Sequence, residues 1–109
     1  MKNPTIILVL SSVLTLSAYA AVDGAAIWDS QCAKCHGADG AGDTKMGKKL
    51  KITNLTDAAV QAKFTDDAIV TSIKEGVTNE KGKKKMVPIE GLSEEEMQAM
   101  IPHVRGLVK

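Results

Sequence analysis

The chain has 109 residues, a formal net charge of +1, two cysteines, two histidines and only 3% aromatic residues. That length allows one domain. The near-neutral balance, with no basic stretch interleaved with aromatics, argues against a nucleic-acid binder, and two Cys with two well-separated His are too few for a four-ligand zinc site.

The chain opens like an export signal. Lys2 supplies a positive start and an apolar run follows from Ile6 to Leu16, broken only by Ser11, Ser12 and Thr15. Ala18-Tyr19-Ala20 then supplies the small-x-small pattern of a cleavage site. Cleavage is expected after about Ala20, which makes residues 1–20 a secretory signal peptide and 21–109 one periplasmic domain. The apolar run is shorter than the roughly 20 residues that span a bilayer, so no stable membrane insertion is expected.

Val22 to Gln31 reads as a first helix with Asp23 as N-cap, and Ile27, Trp28 and Cys32 fall at helical spacing. Cys32-Ala33-Lys34-Cys35-His36 follows, the C-x-x-C-H spacing of a c-type haem attachment site. The chemistry needs this arrangement. One helical turn presents both sulfurs to one porphyrin edge, where they add across its vinyl groups, and the next residue can offer an imidazole nitrogen to the iron. A thioredoxin-like thiol pair would want a βαβ context, whereas these flanks read as helical and Gly-rich. A disulfide across so tight a loop would gain little chain entropy. Trp28 and Phe64 are the only aromatics left after cleavage, a thin core that an apolar cofactor would fill.

Gly37 to Gly47 reads as loop, dense in Gly and Asp. A phosphate cradle is disfavoured because no strand precedes it and the Lys-Ser/Thr ending is missing. Asn54 or Thr56 can cap a short second helix through Ala62. Thr65 caps a third over Asp66 to Glu75, with Ile69, Val70 and Ile73 as its buried stripe and Gly76 as its stop. Thr78 to Ile89 reads as a second, Lys-rich loop ending in Met86-Val87-Pro88. Ser93 and Glu96 form a capping box for a last helix whose apolar face runs Met97, Met100, Ile101, Val104 and Leu107 or Val108. Pro102 should kink that helix, yet the periodicity continues beyond it. No strand signal stands out.

A haem iron with one His needs a second axial ligand or keeps an open site. Met46 is only about ten residues past His36, a short reach to the other haem face. Met97 and Met100 lie on the apolar face of the last helix and read as core. His103 reads as a helix residue packing on the first helix. Met86 sits in a loop among lysines with no packing reason to be there, and is the preferred ligand. A hydrogen bond on the free His36 nitrogen is expected to tune the iron further.

Together these features resemble class I cytochromes c across nearly all of residues 22–109. The residues that carry the likeness are Cys32-Ala33-Lys34-Cys35-His36-Gly37, the Gly-rich loop, Asn54-Leu55-Thr56-Asp57, Ile73-Lys74-Glu75-Gly76, Lys85-Met86-Val87-Pro88 and a capped terminal helix with Val104-Arg105-Gly106-Leu107. The resemblance implies an all-α cytochrome c fold, about four to five short helices around one haem c held by Cys32 and Cys35. It also implies that the first and last helices cross near Gly24 and that electrons pass at an exposed haem edge. Two departures stand out. Val87 separates Met86 from Pro88, where the family usually has Met followed directly by Pro, and Pro102-His103 stands where the family commonly has an aromatic before Val-Arg.

The expectation is therefore a secreted, monomeric, monohaem electron carrier and not an enzyme, with Cys32, Cys35, His36 and Met86 holding the cofactor. Lys45, Lys48, Lys49 and Lys51 form one basic cluster and Lys81, Lys83, Lys84 and Lys85 another, while Glu94, Glu95 and Glu96 gather elsewhere. The basic clusters would steer the carrier to acidic patches on a redox donor and acceptor. The alternatives are a small haem enzyme or gas sensor with Met86 off the iron, or a C-x-x-C thiol oxidoreductase.

Overall fold

The computed structural model describes residues 22–109; the expected signal peptide lies outside them. The first helix, α1, runs over residues 24–36, longer than the spacing predicts. It is α-helical over Gly24–Ile27, π-helical over Trp28–Cys32 and α-helical again over Ala33–His36. Asp23 caps it, accepting from the Ala26 N–H at 3.2 Å. Nothing breaks the ladder until Gly37 at φ +84°, so the whole C-x-x-C-H segment is carried on the helix. The π-helical insertion adds a residue to one turn, a device common beside functional sites.

Two elements arise where the sequence reads as loop. Helix α2, Lys45–Leu50, is opened by Thr44, whose Oγ1 accepts from the Gly47 N–H at 2.9 Å. Strands β1, Val77–Thr78, and β2, Lys84–Met86, pair antiparallel with Val77 opposite Met86. Asn79 makes their turn, its Oδ1 accepting from the Lys81 and Lys83 N–H groups. Helix α3 is Ala58–Gln61, capped by Asp57 rather than by Asn54 or Thr56. Asn54 spends its side chain on a tight turn instead, accepting from Thr56 N–H and Oγ1.

Helices α4, Asp66–Glu75, and α5, Glu94–Arg105, carry the expected caps, Thr65 and the Ser93–Glu96 box. Helix α5 runs through Pro102 and ends at Arg105, before Leu107. Gln98 and Pro102 are both exposed, so the carbonyl that Pro102 leaves without a donor can turn to water.

The core is Trp28, Ile69, Val70, Ile73, Met97, Met100 and Val104. It joins α1, α4 and α5. Helices α1 and α5 cross at Gly24, where a Cβ would come 3.0 Å from the Ala99 carbonyl oxygen and 3.3 Å from His103 Cβ. Any larger residue would push the pair apart. One polar knot closes the far end. Gln61 is buried and donates to the Leu55 and Val104 carbonyls, both at 2.7 Å. Arg105 donates to the Gln61 and Phe64 carbonyls and to Asp66, while its guanidinium lies 4.7 Å over the Phe64 ring. This knot ties α3, α4 and α5 together.

Candidate functional site

The last carbonyls of α1 have no partner within the helix. Two donors from outside the helix and one from its own Trp28 take up the carbonyls at this end. Thr44 Oγ1 donates to Cys35 O at 2.7 Å, the Gly42 N–H to His36 O at 2.7 Å, and Trp28 Nε1 to Gly37 O at 2.9 Å. The Gly-rich loop and α2 are thereby folded back onto the end of α1. The motif that carries Cys32, Cys35 and His36 is held from three sides.

These residues border a cleft with two lobes. The inner lobe, about 220 Å³, is walled by apolar residues including Leu55, Phe64, Ile69, Ile73 and Met100. The outer lobe, about 670 Å³, lies among Cys35, Met46, Leu50, Ile52 and Ile89, with Lys34, Lys51, Lys84 and Lys85 also lining it. Its size is that of a small-molecule site. Cys32, His36, Thr53, Val77 and Met86 line both lobes.

Burial holds the His36 imidazole below its ordinary pKa, so the ring stays neutral, the form that can ligate iron. Its ring centroid lies 5.3 Å from that of Trp28. His36 Nδ1 is buried without a hydrogen-bond partner, so the expected bond on that nitrogen is not formed by the protein's own groups. Both cysteines are free and half-buried. Burial, and then the neighbouring Cys35, push the Cys32 thiol up to about 11. A thiol-exchange nucleophile needs the opposite shift, so Cys32 is not set up as one.

Met86 sits at the end of β2. Its strand is held from the α4 side by the pairing with Val77 and by the Ile89 N–H, which donates to Ile73 O at 2.8 Å. Gly76, at φ +74°, passes so close under the Met86 carbonyl oxygen that a Cβ would collide with it. Only glycine satisfies both conditions. The other sulfurs are placed differently. Met97 and Met100 are core, at 7% and 1% exposure; Met100 reaches only the inner lobe and Met46 only the outer one. His103 lines neither lobe. It packs against the indole of Trp28 with ring centroids 5.2 Å apart, as expected of a helix residue packing on the first helix. Val87 is 63% exposed and stands at the rim of the outer lobe.

Residues not singled out by sequence also matter. Leu50, Ile52 and Thr53 border the cleft, and Gln61 holds the far end by donating to the Val104 carbonyl. Their signal is tertiary; no local pattern marks them.

Two thiols and a neutral imidazole on one helix, a thioether from a separate strand and an apolar inner lobe fit a covalently attached haem c. Comparison with known proteins agrees. Residues 20–104 match the family described as cytochrome C oxidase, cbb3-type, subunit III. Among solved structures, the KustC0563 c-type cytochrome is 36% identical, with 81% of this chain and 100% of that chain covered and a TM-score of 0.69. A point mutant of that same cytochrome is similar at 36% identity, 79% and 99% coverage and a TM-score of 0.66. No curated protein matches the chain. The fold is that of a cytochrome c, and the chain belongs to the cbb3-type subunit III family of small c-type cytochromes, whose haem serves electron transfer.

Proposed function

We propose that this chain is a periplasmic, monohaem electron carrier. Cys32 and Cys35 would hold haem c through thioethers, and His36 and Met86 would bind its iron. The observation that carries this reading is that His36 and Met86, from separate elements, line both lobes of one cleft together with Cys32. Haem supplies a one-electron ferric/ferrous couple when bound.

The remaining work is done by this chain's own residues. Burial keeps His36 neutral and ready to bind. The Met86 thioether raises the potential relative to a second His. The apolar inner lobe limits water near the site. Lys34, Lys51, Lys84 and Lys85 surround the outer lobe and draw in acidic faces of a donor and an acceptor. The leader at residues 1–20 sends the chain to the periplasm, where the haem is attached.

The test is an absorption spectrum of the protein made in a periplasm competent in haem attachment. The expected result is sharp low-spin c-type bands, with the weak red Met–iron band in the oxidised form and its loss in Met86→Ala. A high-spin spectrum and ready CO binding by the reduced protein would overturn the carrier reading in favour of an open-site enzyme or sensor. A colourless protein with two titratable thiols would overturn both.

A further inference from the structure

Lys85 stands apart from the other lysines of its run. Lys81, Lys83 and Lys84 are exposed, whereas Lys85 is half-buried. Its Nζ donates to the Leu50 carbonyl oxygen at 3.0 Å, a contact between segments 35 residues apart. Leu50 is the last residue of α2, and a carbonyl at that position has no donor within the helix. The chain turns away directly afterwards, at Lys51, with φ +54°. The ammonium thus completes the end of α2 with a charge-assisted bond.

The position of this bond gives it a consequence. Leu50, Lys85 and Met86 all line the outer lobe. Val77, Gly76 and the Ile89–Ile73 bond secure the Met86 strand from the α4 side alone. The Lys85–Leu50 bond secures the same strand to α2, next to the Cys35 end of α1, and so joins the two walls of the lobe one residue from Met86.

We propose that Lys85 is a positioning residue: its bond to Leu50 straps the Met86 strand across the outer lobe and keeps external ligands from displacing Met86. This inference rests on Met86 being the axial ligand. Lys85 itself touches no reacting atom; it acts by limiting how far the strand can swing away from the cleft.

The experiment is an imidazole titration of the oxidised holoprotein, followed by loss of the red Met–iron band. Lys85→Met keeps the chain length and apolar stem but removes the donor; it is expected to bind imidazole roughly tenfold more tightly, the scale of losing one hydrogen bond from a charged group. Lys85→Arg, which can still donate to the carbonyl, should return most of the wild-type resistance. Lys83→Met removes the same charge from an exposed neighbour and should change the affinity less than about twofold. Lys85→Leu serves as the second variant should Lys85→Met fail to accumulate. If Lys85→Met or Lys85→Leu keeps the red band and binds imidazole like wild type, or if Lys83→Met loosens the site equally, the strap is overturned while Met86 ligation stands. A wild-type protein without the red band overturns Met86 ligation, and the strap with it.

Discussion

Trp28 and His36 stand ring against ring, their centroids 5.3 Å apart, and the same indole closes the helix that carries His36 by donating to the Gly37 carbonyl at 2.9 Å. One side chain therefore packs the core, orients the imidazole and satisfies a buried acceptor. His103 also packs against the indole, at 5.2 Å, so Trp28 links the cleft to the crossing of α1 and α5.

Trp28→Phe keeps an aromatic ring but leaves the Gly37 carbonyl without its donor. The expected loss is about 2 kcal/mol of unfolding free energy, the scale of an unpaired buried acceptor. Guanidinium unfolding of the holoprotein, followed by far-UV circular dichroism, measures it. A change below about 0.5 kcal/mol would mean that water replaces the indole.

Arg105 and Asp66 make a contrasting pair. Arg105→Lys loses the planar fork that reaches the Gln61 and Phe64 carbonyls, and should cost about 2 kcal/mol. Asp66→Asn removes only the ion pair, whose carboxylate side chain is 61% exposed, and should cost less than about 1 kcal/mol. Urea midpoints for the two variants test the order; equal losses would place the energy in the ion pair.

Asp39 gives a pH prediction. The Ala41 N–H donates to its Oδ1 at 3.0 Å and, with a smaller contribution from Lys109, holds the carboxyl below its ordinary value of 3.8. With the folded value depressed, the unfolded chain takes up the proton first as pH falls. The contribution to stability is then complete above about pH 4 and is lost as pH drops through the folded value. A carboxyl-carbon NMR titration should show Asp39 ionising below a free aspartate, and Asp39→Asn should remove that part of the acid dependence.

The lysines around the outer lobe should act on charged reagents as they do on partners. Lys51→Glu with Lys84→Glu is expected to slow oxidation by ferricyanide, an anion, by about three- to tenfold at low ionic strength. The difference should shrink as salt shortens the screening length to a few ångströms. Stopped-flow rates across a salt series measure this. Salt-independent rates in the wild type would end the steering argument.

Much of the fold was legible because its signals are local. Asp23, Thr65, the Ser93–Glu96 box and Gly76 each act through neighbours within a few residues, and all stand where spacing alone predicts them. Three elements lacked a local signal. Helix α2 has six residues, too few to persist without tertiary support, and Thr44 Oγ1 supplies that support by bonding to the Cys35 carbonyl. The strands β1 and β2 have two and three residues, too short for an alternating pattern to register. The π-helical turn at Trp28–Cys32 has no residue signature of its own.

The sequence by itself determined the cytochrome c class and its haem-type cofactor, because the C-x-x-C-H spacing that points to them is carried by adjacent residues. Tertiary structure alone decided that Met86 borders both lobes with His36, that the His103 ring lies against the Trp28 indole, and that Lys85 reaches Leu50. Those relations join residues tens of positions apart, and their distances are set by the packing of α1, α4 and α5 rather than by any local preference of the chain.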